Sequence, residues 1–284
     1  MSAMTPPAAE PRARFGDLLA AEWIKMRSLR STSAALVAGA LVSVGICVNS
    51  ARSNAHLIER STNPDQRTAI DPLHAAFVPE AFQILMVVAA AVGAATIFGE
   101  YAGGMIRTTF AAVPARRSVV AAKVVVVTAV MLVYGTAVAA ASFGVTQAIY
   151  DPVRIGLPIT APGAFRAVAG SALLAPVSAL VGMALGALIR HTAGTVVASV
   201  GVLLLLPRLF GGETYRWVKE IGNAMPVSAW TALVENPARS LPPGGPVRWV
   251  SRYPVSVTEA WLVLGAWALV AAAVAVAVVH RRDV

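Results

Sequence analysis

Residues that could perform acid–base, nucleophilic or metal chemistry are few in this chain and lie far apart. The histidines are His56, His74, His191 and His280, and the single cysteine is Cys47. Neither the metal-binding motif HExxH nor the nucleophile motif GxSxG occurs. The sequence therefore predicts no catalytic residue, no metal site and no cofactor bound by this chain, which we do not expect to be an enzyme.

The lysines give no sign of a phosphate-binding loop. In the motif GxxxxGK[ST] a glycine directly precedes the lysine, because backbone N–H groups must approach the phosphates closely. Lys25, Lys123 and Lys219 follow isoleucine, alanine and valine instead. We therefore expect that the chain does not hydrolyse ATP itself.

The composition is that of a membrane protein. Of the 284 residues 57% are hydrophobic and only 13% are charged, against about 25% charged residues in soluble domains. A helix needs about 20 apolar residues to cross the hydrocarbon layer, and helices satisfy their own backbone groups in lipid. The sequence predicts an all-α membrane protein with six transmembrane helices, at about 32–50, 80–99, 118–150, 167–189, 192–210 and 259–279.

The charge distribution predicts the orientation of these spans. Six spans place both termini on one side, and basic residues are concentrated near span ends in the segments 1–31, 100–123, 190–191 and 280–284. By the positive-inside rule, we expect cytoplasmic N and C termini in a bacterial plasma membrane. The net charge of +9 is then explained by topology, without a nucleic-acid partner.

The residues before the first span predict two further elements. We expect residues 1–14 to form a disordered cytoplasmic leader and 15–31 an amphipathic helix, because Phe15, Leu19, Trp23 and Met26 repeat at helical spacing. This helix would lie in the inner headgroup layer. The six-helix domain would then span residues 32–279, followed by a cytoplasmic tail at 280–284.

The length of the third span and the two longer loops carry further predictions. The third span is too long for the bilayer, so it must tilt, bend near Gly135 or Gly144, or project. At the inner end of this span, we expect the Lys123 ammonium to reach water. Residues 51–79 are predicted to form a polar loop. Residues 211–258 are predicted to contain two short amphipathic helices on or in the outer surface.

The segment GEYAGGMIRTTFAAVPARRSVVAAK, residues 99–123, is a short basic stretch between two apolar runs. Ile106, Phe110 and Val113 fall on one face of a short helix, which Pro114 ends. Such a helix is too short to be stable alone in water. It needs a surface to lie on, either lipid headgroups or a partner protein.

This segment resembles the stretch between the second and third spans of permease subunits of ABC type-two exporters. The opening AEWIKMRSLRS, residues 21–31, looks like the start of that family, and IGNAMPVSAWTAL, residues 221–233, is similar to its late outer region. The resemblance implies an ATP-driven exporter in which this chain pairs with a second permease, identical or a sister chain. It also implies two cytoplasmic ATP-binding subunits, which would carry ATP and Mg²⁺.

The resemblance also implies roles for particular residues. A coupling helix would seat in the ATPase through Glu100, Tyr101, Gly104, Ile106, Arg107, Thr108, Phe110, Pro114, Arg116 and Arg117. An interface helix beside it would use Phe15, Leu18, Glu22, Trp23, Lys25 and Arg27. The polar residues available to line a cargo path in the second and fifth spans are Gln83, Thr96, Thr195 and Ser199. These four would equally serve helix packing.

Two questions stay open at the level of sequence. Gly182 and Gly186 form a GxxxG motif that permits close helix contact, either within the chain or with a second subunit.

The cargo would be hydrophobic or amphipathic, since the spans are rich in Ala, Val and Leu. The alternative to an exporter is a membrane accessory or immunity protein that binds a partner and moves no cargo.

Overall fold

The computed structural model of the protein describes residues 14–61, 70–102, 116–189, 191–235 and 251–281. Within these ranges the chain is helical and forms no β-strand. The helices are α1 (Phe15–Ser28), α2 (Arg30–Arg60), α3 (Pro72–Ala76), α4 (Pro79–Ala102), α5 (Arg116–Tyr150), α6 (Ala164–Ile189), α7 (Thr192–Leu209), α8 (Arg216–Asn223), α9 (Pro226–Val234) and α10 (Val257–Arg281).

Six of these helices, α2, α4, α5, α6, α7 and α10, are long and apolar enough to cross a membrane. The predicted all-helical class with six spans is therefore confirmed. If each of the six crosses once, the start of α2 and the end of α10 lie on the same side of the bundle. We call this the terminal face and the opposite one the distal face.

Helix α6 lies at the centre of the bundle. In its most apolar 18-residue window 78% of the residues are buried, against 17% in α2 and 22% in α10. It packs against α4, α5 and α10, and Pro176 in its interior is tolerated because neighbouring helices surround it. Helix α7 also packs against α6, whereas α2 packs on α4 and α5, and the outer spans turn apolar side chains outward.

Glycines allow α6 to meet its neighbours with backbone almost touching backbone. A Cβ atom on Gly182 would lie 2.0 Å from the carbonyl oxygen of Ala90 in α4, and one on Gly93 of α4 would lie 2.0 Å from that of Ala179. A Cβ atom on Gly135 of α5 would lie 2.2 Å from the Ala172 oxygen. No side chain larger than hydrogen fits at these points, so the contact depends on glycine.

The GxxxG motif of α6 therefore faces α4 of the same chain. Next to the contact of Gly182, a Cβ atom on Gly186 would lie 3.3 Å from the Ala94 oxygen. The two glycines lie inside the bundle and not on a surface open to a second subunit.

Helices α2 and α5 are longer than the hydrocarbon layer is thick, and their distal ends contact each other. At 1.5 Å per residue they are about 46 and 52 Å long, against about 30 Å of hydrocarbon. Asn54 Nδ2 of α2 donates to the Tyr150 hydroxyl of α5 at 3.1 Å, within a small cluster that includes Ile58 and Ala75. The third span stays one continuous helix through Gly135 and Gly144, so the excess length is not taken up by a break at either glycine.

The polar loop predicted for residues 51–79 was wrong in part. Helix α2 continues to Arg60, and α3 follows before α4. The Asp71 carboxylate caps α3 by accepting from the N–H groups of Leu73 at 3.0 Å and His74 at 3.4 Å. A polar segment can still be helical, because an exposed helical extension needs only one packed face.

Helix α9 lies inside the distal part of the bundle. Trp230 is buried, its Nε1 donates to Ser171 Oγ of α6 at 2.8 Å, and its ring stacks on Phe82 of α4 with centroids 5.3 Å apart. Arg166 Nε donates to the Leu233 carbonyl at 3.0 Å. These bonds fix α9 on α6, beside α10, with the Trp230 ring reaching α4, deeper than a surface helix.

The glycine contact predicts that Gly182→Ala destabilises the bundle. The added methyl group must push the α4 backbone away, and overpacking of this kind costs about 1–3 kcal/mol. Gly265→Ala in α10 is the matched control, because no atom of another described helix lies within 4 Å of its Cβ position. The measurement is the melting temperature in detergent, reported by a thiol-reactive dye at the buried Cys47. Equal melting temperatures for the two variants would contradict the contact.

Candidate partner-coupling site

Helix α1 lies on the terminal face and packs mainly against α5. Its first turn is closed by Asp17, whose carboxylate accepts from the Arg14 N–H at 2.9 Å. Leu29 has extended backbone angles, φ −82° and ψ 90°, and separates α1 from α2. This single-residue break lets the chain turn from the surface helix into the first span.

An ionic cluster joins α1 to α5. Lys123 Nζ of α5 donates to Glu22 Oε2, and Lys25 Nζ donates to Glu22 Oε1 at 2.8 Å. Only 5% of Glu22 and 4% of Lys123 are exposed. The carboxylate thus accepts from two ammonium groups, one on its own helix and one on the third span.

Burial determines how much this ion pair contributes to stability. An exposed pair contributes little because water and salt screen it. A buried carboxylate that loses its ammonium keeps an uncompensated charge, and breaking such pairs costs about 3–5 kcal/mol. The position of α1 on α5 is therefore strongly specified by Glu22 and Lys123.

The expectation that Lys123 reaches water was wrong. Its ammonium turns to Glu22 of α1, which covers the inner end of α5. The sequence did carry a signal for this pairing. Glu22 lies between Leu19 and Met26 on the apolar stripe of α1, and a carboxylate on a buried stripe requires a cation.

Helix α1 uses only part of the predicted apolar stripe to pack on α5. Glu22 and Met26 are buried, whereas 46% of Phe15 and 49% of Trp23 are exposed. Glu22, the partner of Lys123, lies at the centre of the packed face. The aromatic rings of Phe15 and Trp23 therefore lie on the outer side of α1. Of the other predicted interface residues, Leu18 and Lys25 are half-buried and Arg27 is exposed.

The predicted coupling helix falls outside the described residues, as do Gly104, Ile106, Arg107, Thr108, Phe110 and Pro114. The structure describes the helices on both sides of this segment. Glu100 and Tyr101 lie in the last turn of α4, and Arg116 and Arg117 open α5, with the Arg117 side chain exposed. Both helix ends are on the terminal face, as is α1, and Lys123 lies two turns into α5.

The residues proposed for a cargo path are used largely within the chain. Thr195 and Ser199 of α7 are buried and donate to the carbonyls of His191 at 2.9 Å and Thr195 at 2.8 Å. Thr96 donates to the Gly93 carbonyl at 2.7 Å, and Gln83 Oε1 accepts from Arg208 Nη2 at 3.1 Å. Thr195 and Ser199 therefore do not line an open path in this chain.

The fold defines the class of the protein as α-helical with six helices able to span a membrane. Comparison of the chain with models of known protein families and with curated protein sequences gave no match.

The ionic cluster predicts a strong energetic coupling between α1 and α5. Glu22→Gln should lower stability by about 3 kcal/mol, because it removes one partner of a buried ion pair, and Lys123→Met should lower it less, because Glu22 keeps the ammonium of Lys25. The double variant should lose clearly less than the sum of the two. A double-mutant cycle on detergent-solubilised protein measures this coupling.

The pair Arg216–Glu220 on α8 provides the control. Its atoms are 2.7 Å apart, but the side chains are 73% and 56% exposed. Arg216→Met and Glu220→Gln should show no measurable coupling. Additive losses at Glu22 and Lys123 would mean that the ion pair does not hold α1.

Proposed function

We propose that this chain is the transmembrane permease subunit of an ATP-driven exporter, powered by a separate ATP-binding subunit that docks on the terminal face. Six helices able to span a membrane are compatible with a transporter subunit. The resemblance of residues 99–123 and 21–31 to ABC type-two exporters supports the finer assignment.

The observation that carries the proposal is the attachment of α1 to α5 through Glu22 and Lys123. A surface helix that only anchors a protein in headgroups has no need of a buried ion pair to one particular span. With the pair in place, a force applied to α1 is transmitted to the third span. The same span begins directly after segment 103–115, so both proposed contact points of an ATPase act on α5.

The distribution of buried charge favours an external energy source. Among the residues that the structure describes, the buried charged side chains are Glu22 and Lys123, and both lie at the terminal face. Ion-coupled carriers typically hold an ionisable relay near the membrane midplane. A proton- or sodium-driven cycle therefore finds no support in the described part of the bundle.

The complete exporter on this proposal contains two permease chains and two ATP-binding subunits. Closure of the ATPase pair would press on the segment 103–115 and on α1 from the cytoplasm. The spans would then rearrange and release a hydrophobic or amphipathic cargo on the distal, outward side. The bilayer is that of a bacterial plasma membrane.

The test is purification of the tagged chain from its native membranes in mild detergent, followed by identification of co-purifying proteins. We expect a soluble subunit with a phosphate-binding loop. Arg107→Glu and Phe110→Ala should each reduce its recovery at least about tenfold, because a disrupted interface residue costs about 1.4 kcal/mol or more.

Two distal-face variants are matched controls, Arg52→Glu on α2 and Phe165→Ala on α6. Both residues are exposed, and both variants should retain the partner. A chain that purifies alone, or with a partner that lacks a phosphate-binding loop, would contradict the exporter proposal. The second outcome would favour the accessory or immunity protein.

A further inference from the structure

Helix α1 keeps a second apolar surface after it has packed on α5. Trp23 is half exposed, and its neighbour Ile24 is 66% exposed. Leu29, the single residue between α1 and α2, is exposed as well. Large apolar side chains that lie next to one another on an exposed surface mark a place of interaction.

The two free sides of α1 differ in polarity. Successive residues of an α-helix are about 100° apart, so Trp23, Ile24 and Arg27 fall on one side of the packed face that is centred on Glu22. Asp17 and Ser28 fall on the other side, and both are exposed. A helix with one apolar and basic side and one polar side is typical of the membrane surface.

The apolar side of α1 is also positively charged. Arg27 lies one turn after Trp23 and Ile24, and Arg30 opens α2 directly after Leu29; both arginines are exposed. Among the residues that the structure describes, neither arginine has an ion-pair partner. The Glu22 carboxylate accepts from Lys25 and Lys123 instead. The two guanidinium groups are therefore available to an anion outside the chain.

This side of α1 is close to the lipid-facing surface of the first span. Val37 and Leu41 of α2 are exposed in a helix able to cross a membrane, so they face acyl chains. Leu29 precedes Val37 by eight residues, about 12 Å along the helix. Because one residue separates α1 from α2, α1 lies near the boundary between hydrocarbon and headgroups.

We propose that the outer side of α1, formed by Trp23, Ile24, Arg27, Leu29 and Arg30, binds anionic phospholipids of the bilayer. The apolar side chains insert at the upper end of the acyl chains, and the guanidinium groups bind the phosphates through paired N–H donors. The polar side, with Asp17 and Ser28, stays in water. Neither an ATPase nor a cargo is needed, so this assignment stands or falls separately from the exporter proposal.

The experiment uses the full chain in nanodiscs of phosphatidylcholine that contain a small fraction of nitroxide-labelled lipid. On a Cys47→Ala background, Ile24→Cys carries an NBD fluorophore, which nitroxide lipids quench on contact. Quenching is compared for phosphatidylglycerol and phosphatidylcholine with the same labelled acyl chain. Leu269→Cys in α10 is the matched control, because it is 74% exposed and no charged residue lies within nine positions of it.

At Ile24→Cys we expect both lipids to quench, with phosphatidylglycerol preferred about fivefold to tenfold, since a basic residue beside anionic headgroups is worth about fivefold. At Leu269→Cys the two lipids should quench equally. Replacing both arginines, by Arg27→Gln and Arg30→Gln, should reduce the preference at Ile24→Cys to less than about twofold.

Two further variants separate charge from folding. Arg27→Lys with Arg30→Lys should keep most of the preference, because the charge remains. Arg52→Gln, at an exposed position near the distal end of α2, should leave it unchanged. Size-exclusion chromatography checks that each variant is folded.

Three results would overturn the proposal. Absence of quenching by either lipid at Ile24→Cys would show that this side of α1 lies outside the bilayer and is left to a protein partner. Equal quenching by both lipids would show contact without selection for charge. A preference that survives the loss of both arginines would show that these residues do not bind the phosphates.

Discussion

The close approach of α6 to α4 and α5 is the constraint on which the rest of the bundle depends. The backbones meet at Gly93, Gly135 and Gly182, where a side chain larger than hydrogen would clash with the facing helix. In lipid the hydrophobic effect does not drive helices together, so van der Waals contact of this closeness is a main source of association. The three spans therefore form one packed unit, against which the more exposed helices α2, α7 and α10 are placed.

Helix α1 is attached to this unit by a different kind of interaction. The Glu22–Lys123 pair joins two side chains and fixes position and register, whereas the glycine contacts bring helix backbones together at several points. Because Lys123 belongs to α5, and α5 contacts α6 through Gly135, a load on α1 reaches the centre of the bundle through two contacts. Through this connection, a force on the proposed coupling site would move the bundle. An amphipathic helix that only lies on headgroups would not transmit such a force.

The spans could be predicted from the sequence because lipid leaves few alternatives to a helix for an apolar run. Periodicity, however, reports which face is apolar and not which helix will cover it. The pairing of Glu22 with Lys123 joins residues 101 positions apart and depends on where α1 crosses α5. The two short helices within residues 211–258 could be predicted, but the burial of Trp230 against Ser171 and Phe82 depends on how α9 packs on α6.

The distance between α1 and α5 tests the central claim most directly. Spin labels at Ile24→Cys and Val133→Cys, both exposed positions, on a Cys47→Ala background report it by pulsed electron paramagnetic resonance in nanodiscs. The account predicts one narrow distance distribution, and a broad one when Glu22→Gln is added. Distributions that are equally narrow, or equally broad, with and without Glu22 would contradict the claim that this ion pair holds α1 on the third span.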